Sequence, residues 1–449
     1  MMMDGDSADV SRPVRMGVLR VAVVGAGAAG LCAARHLLAR PGTFAPPVLY
    51  ELGGRVGGTW VYEERVGTHD NGQPVHSSMY RNLRTNLPKE VMMFPDFPFD
   101  PQLPSFLPHQ EVQRYLESYC RSHSIGPHIR FNTVVEDVKP VVMETEGEET
   151  RTTWEVTSSS ETGSQETETF DSVFVCNGHY SDPHVPNIPG IENFKGTVLH
   201  SHSYRHPEPF SGRSVVVLGA GASGIDISIE LAGVDAQVTL SHSNPNLTFP
   251  LPSGIQQAAP VTAVEEDGHL RFQDGSAGAA DVLLLCTGYR FTFRFLRPDL
   301  LGLRVRDHLV TPLYRFMTPP AFPSLFIIGI CKSICPFANF HCQVQFALGV
   351  LDGSVALPSR ADMEAEVRRE RAERAGRAER GVEPRHQLRL QEEQWSYCSA
   401  LARRARFAPL PPVTRLLYEE VWRQRRLHPQ DYRELNYRLV SDTQWELRE

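Results

Sequence analysis

Two glycine-rich turns constrain this chain more than anything else in it: GAGAAG, beginning at Gly25, and GAGASG, beginning at Gly219. Each follows a short apolar run and opens a stretch of helical periodicity. That strand–turn–helix context is what makes a glycine fingerprint a sign of a dinucleotide fold. The first glycine of each turn (Gly25, Gly219) allows the tight bend. The second (Gly27, Gly221) lets a pyrophosphate approach the backbone, and the third (Gly30, Gly224) lets the helix lie close to the strand. The helix openings, with Ala28 and Ala29 in one turn and Ser223, Ile225 and Asp226 in the other, present N–H groups and a positive dipole end to the phosphates. Two such turns imply two nucleotides. A length of 449 residues agrees, being too long for one core.

The two units then diverge. Val48 to Tyr50 reads as the next strand of the first, and Glu51 follows it, 21 residues past Gly30, where an acid binds ribose hydroxyls. In the second unit the strand Gln237 to Leu240 runs into Ser241-His242-Ser243, without an acid. An acid there would repel a 2′-phosphate, so its absence favours NADPH over NADH. The candidate phosphate partners are the two hydroxyls and His242, or Arg205 or Arg213 reaching in from elsewhere.

Between the turns, Phe194 to Tyr204 reads F-x-G-x-x-x-H-x-x-x-Y and ends fifteen residues before Gly219. With both turns in place, this stretch resembles the signature of the flavin-containing monooxygenases, in their soluble GS-OX-like branch. The resemblance runs from about Arg20 to the C-terminus. It implies an α/β fold of two Rossmann-like dinucleotide-binding domains, the NADPH domain inserted into the FAD domain. The expected division is a disordered 1–16, a first FAD part over 17–181, the NADPH domain over 182–294, and a second FAD part with C-terminal helices over 295–449. It implies FAD and NADPH as cofactors, and an N,N-dimethylaniline monooxygenase type of activity. Such an enzyme uses O2 to oxygenate soft sulfur or nitrogen of a small molecule through a flavin hydroperoxide. Tyr204 favours this group over Baeyer–Villiger relatives. A Baeyer–Villiger or N-hydroxylating enzyme on the same scaffold stays open, as does a non-catalytic FAD-binding interaction protein.

The resemblance also assigns site residues. In GGRVGGTW, Gly58, Thr59 and Trp60 match a loop that lies along the FAD, although Trp60 suits a core position equally well. In Thr85-Asn86-Leu87, Asn86 matches an amide that faces the flavin and is the candidate catalytic residue. By themselves these residues read as a turn. His200 is expected to have a structural or cofactor-positioning role rather than that of a general base, because the cofactor carries the hard chemistry. Gln343 matches a cofactor position in a helix from about Phe340, whose N-terminus points at the flavin's pyrimidine end. Thr287-Gly288-Tyr289 matches the crossover out of the second domain. His341 stands where relatives usually carry an acid and receives no role.

Composition removes other classes. The net charge is −8, and eight acids against the single base Arg151 lie between Glu144 and Glu168, so the remainder is near neutral. This argues against a nucleic-acid partner. That acidic segment reads as a surface hairpin. The eight cysteines form no C-x-x-C pair, which fits reduced thiols in a cytoplasmic protein, and no metal site is expected. Neither a signal peptide nor a transmembrane run is found, the chain ends without the apolar tail of membrane-bound relatives, and the Asn246-Leu247-Thr248 triplet is expected to stay unglycosylated. Pro108 to His123 reads as an amphipathic helix, Ile129 to Val142 as a strand, and Arg360 to Arg385 as a solvated helix. The aromatic and charged stretch Tyr418 to Trp445 is expected to pack on the FAD domain.

Overall fold

The computed structural model describes residues 17–70, 72–143, 151–243, 247, 251–252, 254–378 and 388–448. The expected disordered 1–16, the acidic run 144–150, Asn246, Thr248 and the end of the expected helix past 378 lie outside these.

The first sheet is wholly parallel, in the order Leu325–Ile327, Ser172–Val175, Val21–Val24, Val48–Tyr50, Ile129–Arg130. Its central strand Val21–Val24 is buried at every position, which is why the sequence there is continuously apolar instead of alternating. The second sheet is also parallel, in the order Ile255–Ala258, Gln237–Ser241, Ser214–Leu218, Val282–Leu285, Thr197–His200. All its strands come from the chain between Val175 and Leu325. One Rossmann-type sheet is therefore inserted into the other, and each glycine turn leaves the central strand of its own sheet.

Three elements differ from the sequence reading. The expected strand Ile129 to Val142 breaks near Asn132, where φ is 50°. Ile129–Arg130 edges the first sheet, while Thr133–Met143 joins Arg151–Ser160 and Gln165–Phe170 in an antiparallel layer. The linking motif supplies an edge strand, Thr197–His200, paired in parallel with Val282–Leu285. The helix expected from Phe340 starts at Pro336, since proline at the first turn has no N–H to leave unpaired.

One apolar core spans the first sheet, helices Ala28–Leu38, His109–Ser122 and Pro336–Leu351, and the C-terminal residues Tyr418, Val421 and Tyr437. Val112, Tyr115, Leu116 and Tyr119 form the buried face of His109–Ser122. Each such side chain contributes roughly 2 kcal/mol of burial. The second sheet has its own apolar layers.

Candidate cofactor and active site

Both turns have the geometry their glycines permit. Gly25 has φ +104° and Gly219 φ +109°, a region side chains avoid. A Cβ at Gly30 would lie 1.9 Å from the Gly25 carbonyl oxygen, and one at Gly224 would lie 1.8 Å from that of Gly219. Helices Ala28–Leu38 and Ala222–Ala232 begin one residue past Gly27 and Gly221, with no side-chain cap on either. Their first N–H groups are therefore left for a ligand.

The loop carrying Gly58, Thr59 and Trp60 lies over the first turn. Gly57 N–H donates to Ala26 O at 3.0 Å, and a Cβ on Gly58 would stand 3.0 Å from Gly27 Cα. Glu51 joins turn and loop: Oε2 accepts from Ala26 N–H at 2.7 Å and Oε1 from Gly53 N–H at 2.8 Å. Burial pushes its carboxyl pKa up, and the two backbone donors pull the other way. Each oxygen keeps a second lone pair for a ribose hydroxyl. Thr59 Oγ1 lies 3.4 Å from Ser78 Oγ, and Trp60 packs against the first core. Trp60 is only partly buried there.

The linking motif is a brace between the two halves. A Cβ on Gly196 would sit 2.2 Å from Asp281 O, so only glycine lets this stretch pass the sheet edge. His200 Nδ1 accepts from His202 N–H at 3.0 Å, which leaves the proton on Nε2 to donate to Gly288 O at 3.1 Å. Burial holds its pKa down at about 4, so it is neutral. Both ring nitrogens are committed to backbone, and His200 staples the motif to the Thr287-Gly288-Tyr289 crossover. Tyr204 is buried and its hydroxyl donates to Glu230 at 2.6 Å.

Asn86 is half-buried, and its amide makes no hydrogen bond among the described residues. Its neighbours are fixed. Thr85 N–H donates to Leu107 O at 2.8 Å, Thr85 Oγ1 accepts from Leu107 N–H at 3.0 Å, and Leu87 is in the first core. Just beyond, Lys89 and Glu90 form a buried ion pair that the sequence reading missed; adjacent opposite charges are usually solvated, and nothing local marked them as buried.

Several candidate residues have partners within the protein. Gln343 is fully buried, with Oε1 accepting from Gly329 N–H at 2.9 Å and Nε2 donating to Tyr397 at 2.9 Å. It supports the Gly329 turn from within the protein. Ile225 N–H is taken by Gly221 O at 3.1 Å, and its side chain packs on the second core. Asp226 pairs with Arg433 at 2.6 Å. Of the candidate phosphate partners, Ser241 Oγ donates to Ala259 O at 2.9 Å and accepts from Val261 N–H at 3.0 Å. His242 Nε2 meets Gln257 Oε1 at 2.8 Å. Arg205 is buried among backbone carbonyls of Glu63, Arg65 and Ser77. Arg213 precedes its strand, at the end opposite the turn, and donates to Asp281 O at 3.2 Å. Ser243 alone stays exposed.

His341 acquires a partner. Cys32, His36 and His341 bring their ligand atoms within 4.8 Å inside the helix interface. Arg35 Nη1 lies 3.3 Å from His36 Nδ1, and arginine can only donate. His36 Nε2–H therefore donates to His341 Nδ1 at 3.1 Å. The acceptor lone pairs of both rings are thereby taken up by hydrogen bonds.

The model of the flavin-binding monooxygenase-like family matches residues 18–250 and 251–447. The chain belongs to this family. The monooxygenase is 37% identical over 426 residues to the flavin-containing monooxygenase FMO GS-OX5 of Arabidopsis thaliana, covering 91% of this chain and 88% of that one. Its structure is similar to that of S-allyl-L-cysteine S-oxygenase from Allium sativum, with TM-score 0.83, 33% identity, and 94% and 96% of the two chains covered. It also resembles Tmm from Pelagibacter, with TM-score 0.81, 28% identity, and 95% of each chain covered. The family uses FAD and NADPH, and the residues present fit both: among the described residues the Gly27–Gly58 cradle has no side chains in the way, and a Cβ on Gly221 would meet nothing within 4 Å. Among the described residues no helix is long and apolar enough to cross a membrane.

Proposed function

We propose that this monooxygenase uses NADPH and O2 to place one oxygen atom on the sulfur of a small thioether, with Asn86 as the side chain that orients the reacting oxygen. Asn86 carries the reading. Its amide is without a protein partner among the described residues, yet the backbone around it is pinned through Thr85 and Leu87. An amide so placed can both donate and accept, and it needs no reorganisation to do so. The FAD would be held by Gly25, Gly27 and Gly30, the helix opening at Ala28 and Ala29, Glu51, and the backbone of Gly58 and Thr59. NADPH would be held by Gly219, Gly221, Gly224 and the helix opening at Ser223. When bound, the flavin supplies the oxygen-activating redox chemistry, with NADPH as hydride donor. One thioether, O2, NADPH and a proton then give sulfoxide, NADP+ and water. Sulfur is preferred to amine nitrogen because the garlic protein, similar over nearly the whole chain, is an S-oxygenase. The lack of an acid after Ser241 supports NADPH over NADH.

Replacing Asn86 by alanine tests this. FAD content should stay at the wild-type level, because the turns are untouched. The rate of sulfoxide formation should fall roughly a hundredfold, with NADPH consumed and hydrogen peroxide released instead. The measurement is sulfoxide formed per NADPH oxidised. A wild-type ratio in the variant would make Asn86 a turn residue only.

A further inference from the structure

We propose that Arg433, far from either glycine turn in sequence, is a positioning residue that locks the second nucleotide helix to the Asn86 segment. The proposal rests on the reading of Asn86 and of the second turn given above. Arg433 Nε donates to Thr85 O at 3.0 Å, next to Asn86. The other end of the same guanidinium grips both oxygens of Asp226, Nη2 to Oδ2 at 2.6 Å and Nη1 to Oδ1 at 3.2 Å. Asp226 lies two residues past Gly224, in the first turns of Ala222–Ala232. One rigid planar fork thus touches the backbone that carries Asn86 and the helix that would receive the NADPH pyrophosphate. Lysine, with a single flexible ammonium, cannot hold both in fixed geometry.

The surroundings hold the fork in place. Its side chain is 14% exposed and that of Asp226 is 20% exposed. The guanidinium lies over the Tyr432 ring at 4.8 Å, and Arg433 O accepts from Arg84 Nη2 at 2.9 Å. Tyr80 donates to Asp226 at 3.4 Å, Asn82 to Glu230 at 2.5 Å and Tyr204 to Glu230 at 2.6 Å, so the same helix is tied at further points to residues near Asn86 and to the end of the linking motif. The latch has an electrostatic role as well. It neutralises an acid in the second turn of the helix whose N-terminus would receive the phosphate.

On this reading NADP+ would reach from the second turn to the Asn86 segment, whereas 2′,5′-ADP, lacking the nicotinamide end, would contact only the second turn. The test is calorimetric titration of the FAD-loaded wild type, Arg433→Gln and Asp226→Asn with both compounds, together with sulfoxide formed per NADPH. In the variants NADP+ should bind about tenfold more weakly, the effect of losing a charge-assisted contact. The affinity for 2′,5′-ADP should stay within about twofold of wild type, and the sulfoxide ratio should fall. Should Arg433→Gln fail to fold, Arg433→Lys keeps the charge facing Asp226 and should show the same NADP+-selective loss, about threefold. Equal weakening of both compounds, or none for NADP+, overturns the latch. A wild type that binds neither compound overturns the nucleotide reading of the second turn, and the latch with it.

Discussion

The two glycine turns share a backbone and differ in what lies over them. Their first glycines sit at φ +104° and +109°, and their third glycines meet a carbonyl at 1.9 and 1.8 Å from a notional Cβ. Over the first turn the chain has folded a lid of its own: Gly58 faces Gly27, Gly57 bonds to Ala26, and Glu51 fastens both sides. Over Gly221 a Cβ would meet nothing within 4 Å among the described residues, and the hydroxyl of Ser241 is turned back into the sheet. The same turn can therefore serve an enclosed ligand or an exchangeable one. What decides is the neighbouring loop, since an enclosed ligand must open the protein to leave. The proposed assignment of FAD to the first turn and NADPH to the second makes the first ligand the resident one and the second the visitor.

The contrast breaks most sharply at the middle glycines. Gly221→Val puts its methyl groups into open space, so the fold should stand and the protein stay yellow. Its reduction by NADPH should slow by about a hundredfold or more, as when a reactant is displaced from position. Gly27→Val, facing Gly58 at 3.5 Å, should instead give colourless protein. Flavin absorbance and stopped-flow reduction measure the two, and a Gly221→Val protein that loses its FAD would end the assignment. A smaller effect is expected at Ser243, the exposed residue after the second strand. Ser243→Arg supplies a planar charge for a 2′-phosphate and should lower the NADPH Michaelis constant about tenfold, with little change for NADH. An unchanged constant would mean that some other cation already does this.

The smallest effect concerns the brace between the halves. His200 has its pKa depressed to about 4 by burial, below the ordinary 6.5. The unfolded chain therefore takes up a proton in a range where the folded chain does not. Stability from the neutral ring is complete above about pH 6.5 and is lost as pH falls toward 4, by about 1 kcal/mol at pH 6. Urea titrations at pH 7.5 and 6 should show that loss in the wild type and a smaller one in His200→Gln. Equal losses would place the acid sensitivity on other buried histidines.

What was legible in the sequence was local. The turns are short glycine patterns between an unbroken apolar run and a helical periodicity, so a short window contains them. Spacing singled out Glu51 at the end of the second strand, but its fastening of Ala26 to Gly53 depends on how a loop folds back, which spacing does not encode. Gln343 and Ser241 were read as ligand candidates; the protein groups their polar atoms bond, Gly329 N–H and Tyr397 for one and Ala259 O and Val261 N–H for the other, are visible only once the packing is known. Arg433 had no signal at all: its partners are 207 and 348 residues away in sequence.

The insertion of one sheet into the other also bears on how the chain closes. Val175 and Leu325 belong to neighbouring strands, Ser172–Val175 and Leu325–Ile327, and are separated by roughly 150 residues, a long loop to close in a single step. The bridge between Pro183 and Tyr289, with His184 N–H donating to Gly288 O at 2.9 Å, brings the ends of the insert together. Once it forms, the open path is about 40 residues, and the entropy of closure falls by about 1 kcal/mol. The second sheet is thus more than a site for a nucleotide: by clasping its own ends, it shortens the search by which the first sheet finds its last strand.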